Sequence, residues 1–228
     1  MARYTYVMSD IHGQFDALME MIKLIEFTES DELYILGDVI DRGPKSIECI
    51  KWIMAQDNVL TLLGNHELIL FDTYIHDAQA VYHSLTEIRE CMSQEEQQAV
   101  MQWIEDMPEC KLITVNGKKF YLNHTQAVSV DYFKEELTDR MFPDYSKYDD
   151  YNDIIVKDII SIHGHIPTME MRKWNKQERG SSIWKNISET IIDIDCGAGY
   201  PKEGGKLGCL RLNDMQEFYV KIKIGSPL

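Results

Sequence analysis

Side chains able to hold a metal or move a proton stand at the ends of short apolar runs in this chain. YTYVMSD ends at Asp10, with His12 two residues on; ELYILGD ends at Asp38, and NVLTLLGN ends at Asn65, followed by His66. Later, KKFYLNH ends at His124 and IISIHGH at His165, while TIIDIDCG closes near Asp195. A lone Asp or Asn at such a place is ordinary turn chemistry, and a lone His is commonly a hydrogen-bonded core residue. Five runs that each deliver a carboxylate, carboxamide or imidazole are not explained that way. Without thiolate, this donor set suits Mn²⁺, Fe²⁺/Fe³⁺ or Zn²⁺ better than Ca²⁺ or Cu⁺. Asp10 and His12, two apart, leave the same face of an extended chain. Asp10, His12, Asp38, Asn65, His124 and His165 together are enough donors for two ions about 3.5–4 Å apart that share a carboxylate.

The runs themselves have strand length and β-branched or aromatic composition. Between the first three, Leu18, Ile22 and Ile25 recur at helical spacing, as do Ile47, Ile50 and Met54. Strand, helix, strand, helix, strand predicts βαβ units around a buried parallel sheet. Ligands of such sheets sit beyond the carboxyl ends of the strands, where the candidate donors fall. The second half reads as antiparallel. Asn116-Gly117 between KLITV and KKFYLNH predicts a tight hairpin, and LGCLRLN with EFYVKIKI predicts another around Asp214 to Gln216. A helical insert is expected at about 72–108, with a Ser93/Glu96 capping box and an apolar face through Trp103, Ile104 and Met107 that Pro108 stops. Residues 144–153 form an acidic, tyrosine-rich segment. Both stretches read first as scaffold and solvated surface. The acidic one, if it overhangs the strand ends, would repel polyphosphates and attract basic phosphopeptides.

The chain has 228 residues, 44% hydrophobic and 27% charged, which predicts one globular domain over 1–228. It carries 23 basic against 38 acidic residues, a net charge of −15. That argues against a long nucleic-acid partner and leaves a small phosphorylated one open. No apolar run approaches the ~20 residues of a membrane span. The opening MARYTYVMSD lacks a signal-peptide core, so a cytoplasmic location is expected. Cys49, Cys91, Cys110, Cys196 and Cys209 form no CxxC pair and are expected to be free thiols. Nothing in the sequence specifies an oligomeric state.

Three local strings resemble a known family. Ser9-Asp10-Ile11-His12-Gly13, Gly37-Asp38-Val39-Ile40-Asp41-Arg42-Gly43 and Gly64-Asn65-His66-Glu67 are similar to the GDxHG, GDxxDRG and GNHE motifs of PPP-type metallophosphoesterases. Gly164-His165-Ile166-Pro167 and Ile194-Asp195-Cys196-Gly197-Ala198 resemble that family's GHTP and IDTGA segments, so the likeness runs from Tyr4 to about Leu212. The family includes serine/threonine protein phosphatases, bacteriophage-type protein phosphatases and symmetrical diadenosine tetraphosphatases.

The resemblance implies an α/β/β/α sandwich of two mixed sheets with outer helices. It implies two divalent or trivalent metal ions, manganese foremost and iron or zinc as alternatives. Asp10, His12 and Asp38 would hold the first ion, Asp38 would bridge, and Asn65, His124 and His165 would complete the second. Arg42 would bind a phosphoryl oxygen, for which its planar fork is suited. His66 would be the general acid, held by Asp41. Asn65 and His66 are adjacent, so one can ligate while its neighbour reaches the substrate. The implied reaction is attack on phosphorus by a metal-bridging hydroxide. The intact Asp41-Arg42 pair, the short chain and the IDTGA-like ending lean toward a phosphoserine/phosphothreonine protein phosphatase. Symmetrical dinucleoside polyphosphate hydrolysis is the alternative, and a non-catalytic metal-binding module the third reading.

Two departures from the pattern bear on substrate contacts. His124 is followed by Thr125-Gln126 where the family commonly has Ala-Gly or Gly-Gly. A second phosphate-binding arginine is assigned to Arg140 ahead of Arg172 and Arg179. His163 points to the same face as His165, and a core or supporting role is expected for it.

Overall fold

The first half of the chain winds from strand to helix as the alternating patterns predict. In a computed structural model that describes residues 3–80, 82–125 and 158–223, β1 (Thr5–Met8), α1 (Phe15–Leu24), β2 (Glu32–Ile35), α2 (Ser46–Met54) and β3 (Val59–Thr61) follow one another. Tyr6 pairs with Leu33, and Tyr34 with Leu60, so the three strands are parallel. Three helices follow: α3 (Asn65–Ile75), α4 (His83–Cys91) and α5 (Gln94–Glu105). At α5 the capping box forms as expected: Ser93 Oγ accepts the Glu96 N–H at 3.2 Å, and Glu96 Oε2 accepts the Ser93 N–H at 2.8 Å.

The second half pairs differently. β4 (Cys110–Val115) and β5 (Lys118–Asn123) make the expected hairpin, with Asn116 at φ 50° and Gly117 at φ 79° in its turn. Both central residues of a type I′ turn need positive φ. Then come β6 (Ile159–His163), α6 (Thr168–Trp174), β7 (Trp184–Lys185) and β8 (Ile191–Asp193). The second hairpin is β9 (Lys206–Arg211) with β10 (Gln216–Lys221). One sheet has the order β10-β9-β1-β2-β3, the other β4-β5-β6-β8-β7. Both are mixed. Arg140 and the 144–153 segment lie outside the described residues.

Strand alternation assigns the layers. In β1, Tyr6 and Met8 face α1 and α2, packing with Leu18, Met21 and Ile50, while Val7 faces the other way. Val7, Leu36, Leu62 and Leu210 meet Phe120, Leu122, Ile162 and Ile192 in the seam between the sheets. On the far side Met171 of α6 packs on Trp184 and Ile191. The result is helices, sheet, sheet, helix, with an apolar seam of fully buried side chains that each contribute about 1.5–3 kcal/mol. The five cysteines are free thiols, and no described helix is long and apolar enough to cross a membrane.

Candidate metal centre

The carboxyl ends of β1, β2, β3, β5 and β6 carry the candidate donors to one edge of the sandwich. The loops there are bent hard. Asp10, His12, Asp38, Asp41, Arg42 and His165 have φ of 51°, 48°, 52°, 68°, 63° and 70°. They are six of the thirteen non-glycine residues with positive φ among the described residues. Each left-handed L-residue costs about 1–2 kcal/mol, so neighbouring structure must hold it there. The loops are stitched together: Asp10 N–H donates to Gly37 O at 3.1 Å, His12 N–H to Asp38 O at 2.9 Å, and Gly164 N–H to His124 O at 3.0 Å.

Asp38 lies at the middle. Its Oδ2 is 3.7 Å from His12 Nε2 and 3.9 Å from His66 Nε2, and its Oδ1 is 3.3 Å from His124 Nε2. Asn65 Oδ1 lies 3.0 Å from His124 Nε2 and 2.8 Å from His165 Nδ1. Two groups of ligand atoms result, His12/Asp38/His66 and Asp38/His124/His165, each with all its atoms within 4.8 Å of one another. Asp38 belongs to both. Asp10 Oδ2 accepts the His165 N–H at 2.9 Å and the Ser9 hydroxyl, whereas its Oδ1 is buried without a partner, 3.9 Å from His12 Nε2. A buried carboxylate oxygen left so is costly unless a cation takes it up.

The imidazoles are aimed by what their other nitrogen does. His12 Nδ1 lies 2.9 Å from Ile40 O, and His124 Nδ1 lies 2.7 Å from Leu36 O. A carbonyl only accepts, so each Nδ1 carries the proton and each Nε2 lone pair is directed at Asp38. His66 is held otherwise, with Nδ1 at 2.7 Å from Asp41 Oδ2. Geometry therefore sets His66, and not Asp10, in the first group of ligand atoms. Its carboxylate partner separates it from His12 and His124, whose Nδ1 atoms face backbone carbonyls.

Burial pushes His12 down to about 3 and His165 down to about 4, with the neighbouring His124 adding to the second effect, so both are neutral donors. Burial opposes protonation of His66 too, yet the Asp41 hydrogen bond and the Asp38 charge prevail and raise it. Asp41 is lowered despite burial because His66 and Ser84 bond to it. Asp38 is pushed well above the carboxylate range by burial, with Asp10 and Glu67 adding negative charge. The oxygen and imidazole donors, Asp10 Oδ1 and the carboxylate crowding all fit bound cations.

Glu67, Ser84, Tyr82 and Tyr200 matter here and were not singled out by sequence reasoning, unlike Arg42, Arg172, Arg179 and His163. Glu67, the last residue of the third motif, is fully buried; its Oε2 accepts the Asp38 N–H and its Oε1 the Val39 N–H, each at 2.8 Å. Gly64 allows this approach, since a Cβ there would lie 2.3 Å from Asp38 N and 2.5 Å from Glu67 Oε2. Arg42 lies with its guanidinium carbon 4.4 Å from the centre of the Tyr200 ring. Ser84 and Tyr82, from the stretch read as scaffold, touch Asp41 and His66. Arg172 donates to the carbonyls of Ser182 and Ile183, both at 3.2 Å, and so is committed to local structure. Arg179 lines an outer cleft with Lys173 and Lys176. His163 is buried with Nδ1 3.2 Å from Gly164 O.

A sequence model of the calcineurin-like phosphoesterases matches residues 4–195. The chain belongs to that family. Members of that family are phosphoester hydrolases of a class that uses divalent metal ions. Among curated relatives, the symmetrical bis(5'-nucleosyl)-tetraphosphatase of Actinobacillus pleuropneumoniae serotype 3 is 41% identical over 73 residues. That match covers 31% of this chain and 27% of the relative, so it spans little more than a quarter of the relative's length. The solved structure of a candidate diadenosine tetraphosphatase superimposes with a TM-score of 0.67 at 17% identity, covering 97% of this chain and 95% of that one. A protein serine/threonine phosphatase from Saccharomyces cerevisiae gives 0.62 at 15% identity, over 98% and 81%. Both likenesses establish the shared metallophosphoesterase sandwich.

Proposed function

We propose that this phosphoester hydrolase cleaves dinucleoside polyphosphates, using two metal ions held by Asp10, His12, Asp38, Asn65, His124 and His165. The observation that carries the chemistry is the sharing of Asp38 by two groups of ligand atoms beside the His66–Asp41 pair. When bound, the ions supply positive charge to the phosphoryl oxygens and lower the pKa of the attacking water. Arg42 binds a further phosphoryl oxygen, steadied by stacking on Tyr200. His66, anchored through Nδ1 by the Asp41 carboxylate that favours its protonated form, presents Nε2–H to the leaving oxygen and supplies the proton that departure requires. Asp41 fixes the tautomer and the ring plane. Manganese is the ion we expect.

The substrate class is supported by the tetraphosphatase relatives, which replace the lean toward phosphoserine and phosphothreonine as the main reading. The protein-phosphatase reading keeps the same residues in the same roles and rests on the intact Asp41-Arg42 motif. Parallel assays with Mn²⁺ on diadenosine tetraphosphate and a phosphothreonine peptide rank the two. Release of ADP with the higher kcat/KM is expected. A preference for the peptide of about tenfold or more, some 1.4 kcal/mol in transition-state binding, would reverse the assignment.

A further inference from the structure

The carboxylate that holds His66 is itself held by a helix from the insert. Asp41 Oδ2 is used by His66 Nδ1 at 2.7 Å, and Asp41 Oδ1 accepts the N–H of Ser84 at 3.3 Å. The Asp41 N–H donates to two hydroxyls, Ser46 Oγ and Ser84 Oγ, each at 3.0 Å, and Ser84 Oγ donates in turn to Ser46 Oγ at 2.8 Å. Ser46 opens α2 and Ser84 is the second residue of α4; both are fully buried. The N–H of Ser84 is one of the four that a helix start leaves unused, and the positive end of the helix favours the anion it faces. Two residues earlier, the ring of Tyr82 lies 4.5 Å from that of His66 at a tilt of 32°, while His12 meets His66 edge-on at 4.9 Å.

Asp41 has a left-handed backbone, with φ 68°. A residue so strained keeps its carboxylate in one orientation only if its backbone N–H and its second oxygen are both tied down. Here both ties reach Ser84: its hydroxyl shares the Asp41 N–H with Ser46, and its backbone N–H takes the second oxygen. We infer that the start of α4 is a positioning element for proton transfer: Ser84 orients Asp41, Asp41 and Tyr82 orient His66, and the insert thereby sets the efficiency of leaving-group protonation. This rests on the reading of His66 as the general acid.

The test compares p-nitrophenyl phosphate, whose leaving group needs no proton, with an alkyl phosphomonoester, whose leaving group does. Ser84→Ala removes only the hydroxyl from the Asp41 N–H, leaving Ser46 Oγ and the Ser84 N–H in place. It should lower kcat about three- to tenfold on the alkyl ester and less than about twofold on p-nitrophenyl phosphate. KM and metal content should hold, and Ser84→Thr should restore the alkyl-ester rate. In a His66→Asn background Ser84→Ala should change nothing further, because both act on one step. Equal losses on the two substrates, or a full additional loss in the His66→Asn background, would overturn the inference. Tyr82→Ala, at a residue already 40% exposed, puts folding at little risk and should show the same substrate discrimination; an unchanged ratio would overturn the part assigned to Tyr82. If His66→Asn itself fails to discriminate, the acid reading falls and this inference with it. If His66→Asn discriminates and Ser84→Ala does not, only the inference falls.

Discussion

Replacing one oxygen of Glu67 by nitrogen should destabilise both the fold and the metal centre. The side chain is fully buried, and its two oxygens each take a backbone N–H at 2.8 Å, from Asp38 and Val39. Glu67→Gln keeps the volume but turns one acceptor into a donor. One N–H then faces an NH₂ group with no water to turn to. A hydrogen bond to a charged group contributes about 1.5–3 kcal/mol, and a stranded buried donor costs about 1–3 kcal/mol. The two do not add in full, because burial raises the Glu67 carboxyl above its usual range and already offsets part of what the N–H groups contribute. A net loss of about 2–3 kcal/mol is expected, which lowers Tm by about 5–10 °C in a domain of this size. The same change loosens Asp38, whose strained backbone at φ 52° depends on that contact. Outer contacts of this kind are worth about 10–100-fold in metal affinity. Melting in chelator isolates the stability effect, and calorimetric titration with Mn²⁺ isolates the affinity. A wild-type Tm together with wild-type affinity would refute the reasoning. A lowered Tm with unchanged affinity would confine Glu67 to the fold.

Asp38→Asn should abolish binding of both ions, since Asp38 is the shared member of both groups of donors; elemental analysis that finds one ion retained would remove its bridging role. His66→Asn should lower kcat by about 10²–10⁴ on substrates with poor leaving groups, while metal content, read by the same method, stays at the wild-type level. Gly64→Ala should cost about 1–3 kcal/mol by overpacking, because the new methyl would press on Asp38 N and Glu67 Oε2. Gly117→Ala, with no atom within 4 Å of the added carbon, should cost only the backbone term of about 1–2 kcal/mol. Urea denaturation in chelator measures both, and only the Gly64 variant should also bind Mn²⁺ more weakly. Chelation should abolish hydrolysis of p-nitrophenyl phosphate, and added Mn²⁺ should restore it; activity that survives in a chain shown to be metal-free would exclude the two-ion chemistry.

The elements that sequence reading found are those with a local signal. Leu18 and Ile50 recur at helical spacing and are buried against the first sheet. Asn116-Gly117 has a turn type available to few other pairs. What escaped lacks such a signal. β7 is only two residues long, and α6, over Thr168–Trp174, carries too little apolar periodicity to register. The order β4-β5-β6-β8-β7 depends on pairings such as His163 with Asp193, which no local pattern encodes.

The same distinction runs through the site. Asp10, Asp38, Asn65, His124 and His165 stand out as candidate donors because a strand end is a marked place in a sequence. The groups that aim them do not. Glu67 reaches Asp38 across 29 positions and Ser84 reaches Asp41 across 43. A serine two residues into a helix of mixed polarity has nothing in its own neighbourhood to announce a partner. Its importance comes from the strain at Asp41, and strain in the backbone is invisible until the fold closes around it. Donors can therefore be read from a strand pattern, whereas the groups that position them are read from the hydrogen bonds that the left-handed loops require. For this chain that places the control of leaving-group protonation in the helical stretch with the least motif content.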